Sequence, residues 1–216
     1  RQPKLRWSVP DAISQMEGQL VESVTRRGKY ILLETGNGTA IIHLGMSGSL
    51  RIVDAGTEHR KHDHIDIVLK TGKAVRMHDP RRFGAFLWTR KNPLKHKLIR
   101  SLGPEPLGEE FNADYLYHCS RGRSMSIKQF IMNGHVVVGV GNIYACESLF
   151  RAGISPKWAA GKVSKQRYTK LVEQIKKVLV NAIEQGGTTL RDFLQVEGSP
   201  GYFKQQLNVY GRSGEH

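Results

Sequence analysis

The chain has 216 residues, enough for one large domain or two small ones with cores of their own. Lysine and arginine number 33 against 19 aspartate and glutamate, a formal net charge of +14 that points to nucleic acid or an anionic membrane surface. No apolar run approaches the ~20 residues needed to span a bilayer, and no Arg/Lys-led signal segment opens the chain. Cys119 and Cys146 lie far apart with no C-x-x-C, which excludes a disulfide scaffold and a thiolate zinc site and implies a reduced, cytosolic setting. A basic protein with a solvated positive face is the bland alternative.

From Val24 to Trp88 the chain reads as strands. Residues 30–35 and 39–44 flank Gly36-Asn37-Gly38, predicting a hairpin with a three-residue loop. Residues 64–69 and 74–77 flank Thr71-Gly72-Lys73 and predict a second hairpin. Short strands at this spacing, without intervening helices, suggest an antiparallel sandwich or barrel. After about residue 93 the period changes, and Ser101-Leu-Gly-Pro-Glu-Pro106 reads as a connecting loop. Helices are predicted over 109–118, 124–133, 142–152 and 164–185. In the last, Ile175, Val178, Leu179, Ala182 and Ile183 follow Leu171 at helical spacing, and Gly186-Gly187 ends it. The expected fold is α+β: a β-sandwich domain over 1–100 joined to a helical domain over 101–216. A basic groove between two such domains would suit a duplex.

The most pointed stretch runs from Val136 to Ile154: an apolar run, Gly139 and Gly141, then Asn142 opening an amphipathic helix closed by Gly153. Asn142 stands where an N-cap belongs, Gly153 where a C′ glycine belongs, and close-approaching backbone at a helix N-terminus suits an anion. A dinucleotide site is disfavoured, because Tyr144 stands where that fingerprint wants Gly or Ala.

His62-Asp63-His64, with His43, His59 and His78 nearby, could suggest metal. Strand alternation would turn Asp63 away, however, and no further ligand completes a shell, leaving core or surface histidines or phosphate contact. Asp79-Pro80-Arg81-Arg82-Phe83-Gly84 brackets two arginines and an aromatic in a rigid turn. It reads equally as a duplex wedge or as a basic turn with Phe83 in the core. Met46, between Gly45 and Gly48, is either a core filler or a second wedge. Lys29 enters an apolar strand where burial could depress its pKa for proton transfer or imine chemistry, although most such lysines snorkel to solvent.

The blocks RRGKYILLE, IIHLGMSGSLRI, KHDHIDIVL, DPRRFGAFLW, LGPEPL, VVVGVGNIYACESLFRAGI, IEQGGTTLRDFL and PGYFKQQLNVYGRSGE span essentially the whole chain. In this order they resemble the bacterial formamidopyrimidine-DNA glycosylases, and LGMSG and DPRRFG fit that family better than its endonuclease VIII relatives. The resemblance implies an N-terminal β-sandwich and a helical domain with a helix–two-turn–helix motif. It implies base-excision repair of 8-oxoguanine and ring-opened purines in duplex DNA, with cleavage of the abasic strand by β- and δ-elimination. It places Asn142 and Lys128 on the phosphates flanking the lesion, and His62, Arg81 and, in a more variable turn, Arg123 on DNA. Met46, Arg81 and Phe83 would fill the gap left by the extruded nucleotide. Lys29 matches a lysine that assists as a proton donor, Glu147 a buried acid near the active centre, and Thr188, Thr189 and Gly198 lie in a loop over the flipped base.

That family begins its chemistry with an N-terminal proline amine followed by glutamate, and ends in a four-cysteine zinc hairpin. Here Pro3 is an internal amide and the chain stops at His216. The expectation is that both ends belong to a longer protein, that residues 1–216 alone are inactive, and that a structural zinc would lie outside them. The expected setting is a monomer in the bacterial cytoplasm, associated with the nucleoid and acting on lesion-bearing duplex, with no membrane. The alternative is a non-catalytic module that binds damaged or bent DNA.

Overall fold

The computed structural model describes residues 4–187, 207–212 and 214, which fall into two compact units. Residues 4–100 form a β unit; residues 101–187 with 207–212 and 214 form a helical unit.

In the β unit, a 3-10 helix (Asp11–Met16) precedes seven strands. They are β1 (Val21–Arg27), β2 (Tyr30–Thr35), β3 (Gly38–His43), β4 (Ser49–Asp54), β5 (Asp63–Val68), β6 (Lys73–His78) and β7 (Ala85–Thr89). One sheet has the order β1-β2-β3-β7 and the other β4-β6-β5, with every pairing antiparallel. Leu33, Ala40, Ile42 and Phe86 of the first sheet pack with Ile65 and Met77 of the second, closed over by Leu5, Val9 and Ile13. This is the expected sandwich, held by interdigitated apolar faces.

The first hairpin is tighter than its sequence suggests. Thr35 pairs directly with Gly38, leaving a two-residue loop instead of three. Gly38 has φ of 151°, and a Cβ there would lie 2.6 Å from the Thr89 carbonyl and 2.7 Å from the Trp88 ring. Only glycine lets β7 close against that corner.

The second sheet carries a buried charge network. Arg76 on β6 is fully buried; its Nε and Nη2 donate to the two oxygens of Asp66 at 2.8 and 2.7 Å. It also donates to the carbonyls of Glu58 and Thr57, both at 3.0 Å. Asp63 accepts from Arg51 at 2.7 Å, from the Arg60 N–H at 2.9 Å and pairs with His78 Nδ1 at 2.8 Å. Hydrogen bonding from Arg76 holds the Asp66 carboxyl below the usual aspartate range, against an opposing desolvation. The network ties the loop that runs into His62 to the sheet beneath it.

The helical unit contains α1 (Ala113–Ser120), α2 (Ile127–Met132), α3 (Asn142–Ala152) and α4 (Lys165–Glu184). Asn112, Ser126 and Ser164 cap α1, α2 and α4 through their side chains. Their buried faces meet in a core that includes Phe111, Leu116, Phe130, Ile131, Leu149, Tyr168, Leu171 and Ile175. Two apolar positions that fit the helical spacing are not in it: Phe150 is 56% and Ile183 66% exposed. Glu147 and Ser148 are buried on α3 instead. Residues 136–141 form no strand but an irregular turn with Val137, Val138 and Val140 buried, which removes the strand a dinucleotide fold requires.

Candidate nucleic-acid interface

Two glycine-locked turns of the β unit stand together. Gly45, with φ of 67°, approaches so closely that a Cβ would meet the Phe83 carbonyl carbon at 2.6 Å and the Gly84 nitrogen at 2.8 Å. The Met46 and Arg81–Phe83 turns are thereby brought into register. Met46 is 70% and Phe83 45% exposed, so neither is a core filler. The Arg81 guanidinium lies 4.7 Å above the Phe83 ring and Nη2 approaches Met46 Sδ at 3.4 Å. A thioether, an aromatic face and a guanidinium thus share one exposed patch, the side-chain chemistry suited to a base step or an unpaired base edge.

Lys29 lies in the turn between β1 and β2. Its side chain keeps contact with solvent, yet the protein packed around the ammonium lowers its pKa by desolvation. His43 at the end of β3 feels desolvation first and then the charges of Arg6 and Lys29, all of which lower its pKa. Its Nδ1 accepts the Gly45 N–H at 2.9 Å, which fits a neutral imidazole, and the Tyr30 ring lies 5.0 Å away. In the sequence His43 stands only among the histidines weighed as metal, core or phosphate groups. Its signal was its place in β3 directly ahead of the Met46 loop.

His62 precedes β5 with φ of 77°, in the left-handed region that non-glycine residues rarely occupy. Its ring lies 6.2 Å from those of His64 and His78. Strand alternation fails here because the β5 register shifts between Asp63 and Ile65. His64 is a core histidine whose Nε2 bonds the Asp79 carbonyl at 2.9 Å. No group of three or more His, Cys, Asp or Glu side chains placed to hold a metal ion occurs among the described residues. A cleft of about 740 Å³ lined by Ile13, Val21, Ile65, Phe86 and neighbours contains none of the candidate residues.

In the helical unit, Gly141 rather than Asn142 is the N-cap of α3, and it makes no side-chain cap. Asn142 begins the helix proper, exposed, and its side-chain oxygen meets Cys146 Sγ at 4.0 Å. An amide without capping duty at the positive end of an 11-residue helix is available to an anion. Gly139 (φ 82°) shapes the turn before it, and Gly153 (φ 68°) closes the helix as expected. Lys128 lies on α2, half-buried; Arg123 is exposed in the turn after α1. Thr188, Thr189 and Gly198 lie outside the described residues.

Glu147 is fully buried on α3 and ties down a returning segment. Oε2 accepts from the Asn208 N–H at 2.9 Å and its side-chain amide at 3.1 Å; Oε1 accepts from the N–H groups of Val209 and Tyr210 at 3.0 and 3.1 Å. Burial pushes this carboxyl up, but the four donors outweigh it and leave its pKa below the ordinary glutamate value. With a depressed folded pKa, the contribution is present above about pH 4.5 and is lost as pH falls through the folded value. Glu147→Gln presents an amide to N–H donors and is expected to cost about 1–3 kcal/mol in urea unfolding at pH 7, with the gap closing below about pH 4. A constant gap across that range would refute the anchor.

A family profile described as the formamidopyrimidine-DNA glycosylase N-terminal domain matches residues 1–86, and one described as its H2TH domain matches residues 102–194. The formamidopyrimidine-DNA glycosylase of Idiomarina loihiensis is 59% identical over 212 residues, covering 98% of this chain and 78% of that relative. The chain belongs to the formamidopyrimidine-DNA glycosylase family. Among solved structures of the family, the MutM (Fpg) protein of Thermus thermophilus superposes with a TM-score of 0.86 at 34% identity, covering 95% of this chain and 76% of that one. A Lactococcus lactis Fpg mutant in complex with Fapy-dG-containing DNA superposes with 0.84 at 30% identity, over 92% and 73% of the two chains. In family terms, α2, the turns over 133–141 and α3 lie within the segment matched by the H2TH profile.

Proposed function

We propose that this family member is a base-excision repair DNA glycosylase and abasic-site lyase that removes oxidised purines, 8-oxoguanine and formamidopyrimidines, from duplex DNA. The observation that carries the reading is the exposed Met46–Arg81–Phe83 patch on two interlocked turns, in a chain whose relatives bear the glycosylase name. Once the damaged nucleotide leaves the stack, Met46 and Phe83 occupy apolar space between bases while Arg81 pairs with the widowed partner. Asn142, Lys128, His62 and Arg123 take phosphates, which position the duplex without reading its sequence. Lys29, with its lowered pKa, supplies a proton as the glycosidic bond breaks. Glu147 holds residues 208–210 beside α3, the helix that begins with Asn142.

The family's chemistry proceeds through an enzyme amine bonded to C1′ of the sugar, followed by elimination of the flanking phosphates. Borohydride reduces such an imine to a stable link. The complete protein, incubated with 8-oxoguanine duplex and borohydride, is therefore expected to form a covalent protein–DNA adduct. A protein that binds this duplex yet neither releases base nor forms an adduct would instead be a binding module for damaged DNA. We place the protein in the bacterial cytoplasm, at the nucleoid, acting as a monomer. No helix among the described residues is long and apolar enough to cross a membrane.

A further inference from the structure

We propose that Asp79 is a positioning residue that holds His62, Arg81 and Phe83 in one preset arrangement before DNA arrives. The proposal rests on the function proposed above and adds a residue to it that contacts no DNA itself.

Asp79 stands between the end of β6 and the Arg81–Phe83 turn, fully buried although it is an aspartate. Every polar group it uses is spent on the elements that carry the DNA-facing side chains. Its N–H donates to the His62 carbonyl at 3.0 Å, and its own carbonyl accepts from the Arg82 N–H at 3.2 Å and from His64 Nε2 at 2.9 Å. Its carboxylate Oδ2 accepts from the Gly84 N–H at 2.7 Å. A Cβ on Gly84 would lie 2.8 Å from that oxygen and 2.9 Å from the His43 carbonyl, so the turn is clamped against both.

The residues so held are strained. Among the described residues, His62 (φ 77°) and Arg82 (φ 55°) are the non-glycine residues with positive φ, and both bond directly to the Asp79 main chain. Left-handed conformations in such residues persist only where the surroundings over-determine them. Asp79 supplies that determination: it fixes Arg82 and Gly84 on either side of Phe83, and His62 across from them. Rotamer and backbone freedom that would otherwise be lost on binding DNA is already absent from the free protein, which is how preorganisation raises reactivity. Asp79 thus acts through Arg81 and Phe83, and its effect should vanish when they have nothing to do.

The test is a double-mutant cycle on the complete protein, reading kcat/KM for 8-oxoguanine excision from duplex. Asp79→Ala is expected to lose about tenfold, whereas in an Arg81→Ala/Phe83→Ala background the same change should cost less than about twofold. Cleavage at an abasic site in single-stranded DNA, where no stack needs filling, should stay within about threefold of wild type. Asp79→Asn should recover most activity, because one amide oxygen can still accept the Gly84 N–H. Oδ1, where the amide nitrogen would then sit, is buried without a hydrogen-bond partner among the described residues, so no bond made now is lost. Effects that multiply in the cycle, that fall equally on the single-stranded abasic substrate, or that are absent would overturn the proposal. Should Asp79→Ala not fold, Asp79→Glu, which keeps the charge but displaces the carboxylate by one methylene, is read in the same cycle; if neither folds, the residue is a general scaffold and the proposal falls. A wild-type protein that excises no base would refute the function and this assignment with it, whereas a wild type that excises base at the same rate as Asp79→Ala would refute this assignment alone.

Discussion

Replacing Lys29 with alanine is expected to slow base excision by about a hundredfold while leaving affinity for lesion duplex within about threefold. A proton donor contributes to the bond-breaking step, whereas one surface cation among many contributes little to binding by a chain of net charge +14. Desolvation brings the Lys29 ammonium closer to neutrality than an ordinary lysine, which makes it a better acid. A general acid works only while protonated, so the alkaline limb of the pH–rate profile should fall at a pH below the ordinary lysine value and disappear in the variant. Lys29→Arg keeps the charge but not a transferable proton, so it should retain binding and not excision. Equal loss of binding and excision in Lys29→Ala would mean the residue only holds phosphate.

Arg76→Met should destabilise the β unit by about 3–5 kcal/mol, the cost of removing one partner from a buried ion network. Methionine fills much of the same volume, so cavity formation contributes little. What remains is the Asp66 carboxylate without its two Arg76 donors, the buried Asp63 with Arg51 as its one arginine, and the Thr57 and Glu58 carbonyls without their hydrogen bonds. In the wild type Asp66 has a depressed pKa, so its stabilisation is complete above about pH 4 and is lost as pH falls through the folded value. The gap between variant and wild type, read from urea midpoints, should therefore narrow on acidification. A loss under about 1 kcal/mol at pH 7 would show that solvent already reaches the network.

The architecture was legible where local rules suffice. Glycine after α3 and the paired glycines after α4 stop their helices as their positions in the sequence suggest. Tyr30–Thr35 and β5–β6 emerge from alternation and turn residues alone. Most of the failures involve partners distant in sequence. The Gly36-Asn37-Gly38 loop contracts because Gly38 must clear Trp88, some fifty residues on. Phe150 fits an apolar stripe on α3, yet the buried face turns toward Glu147 because residues 208–210 need its carboxylate. Asn142 looked like a cap and instead has no capping role, since the backbone of Gly141 already provides the capping geometry. As for the candidate site, its wedge residues were visible as types; their exposure was not. Sequence left Met46 and Phe83 balanced between core and surface, and only the interlocked glycines decide. Asp79 and His43 went unseen as contributors because buried polar residues carry no periodic signature.

The pairing of β3 with β7 joins His43 to Ala85, so everything between them, the whole second sheet included, is one closed excursion of about forty residues. Met46 sits just inside one end of it, and Arg81 with Phe83 just inside the other. Bringing such ends together has an entropic cost of about 3 kcal/mol beyond the fixed term, met before the contacts at the junction yield anything. The exposed Met46–Arg81–Phe83 patch is in that sense a seam: it comes into being when this long loop shuts, and its geometry is lost as soon as that seam parts, while each hairpin on either side could still be intact.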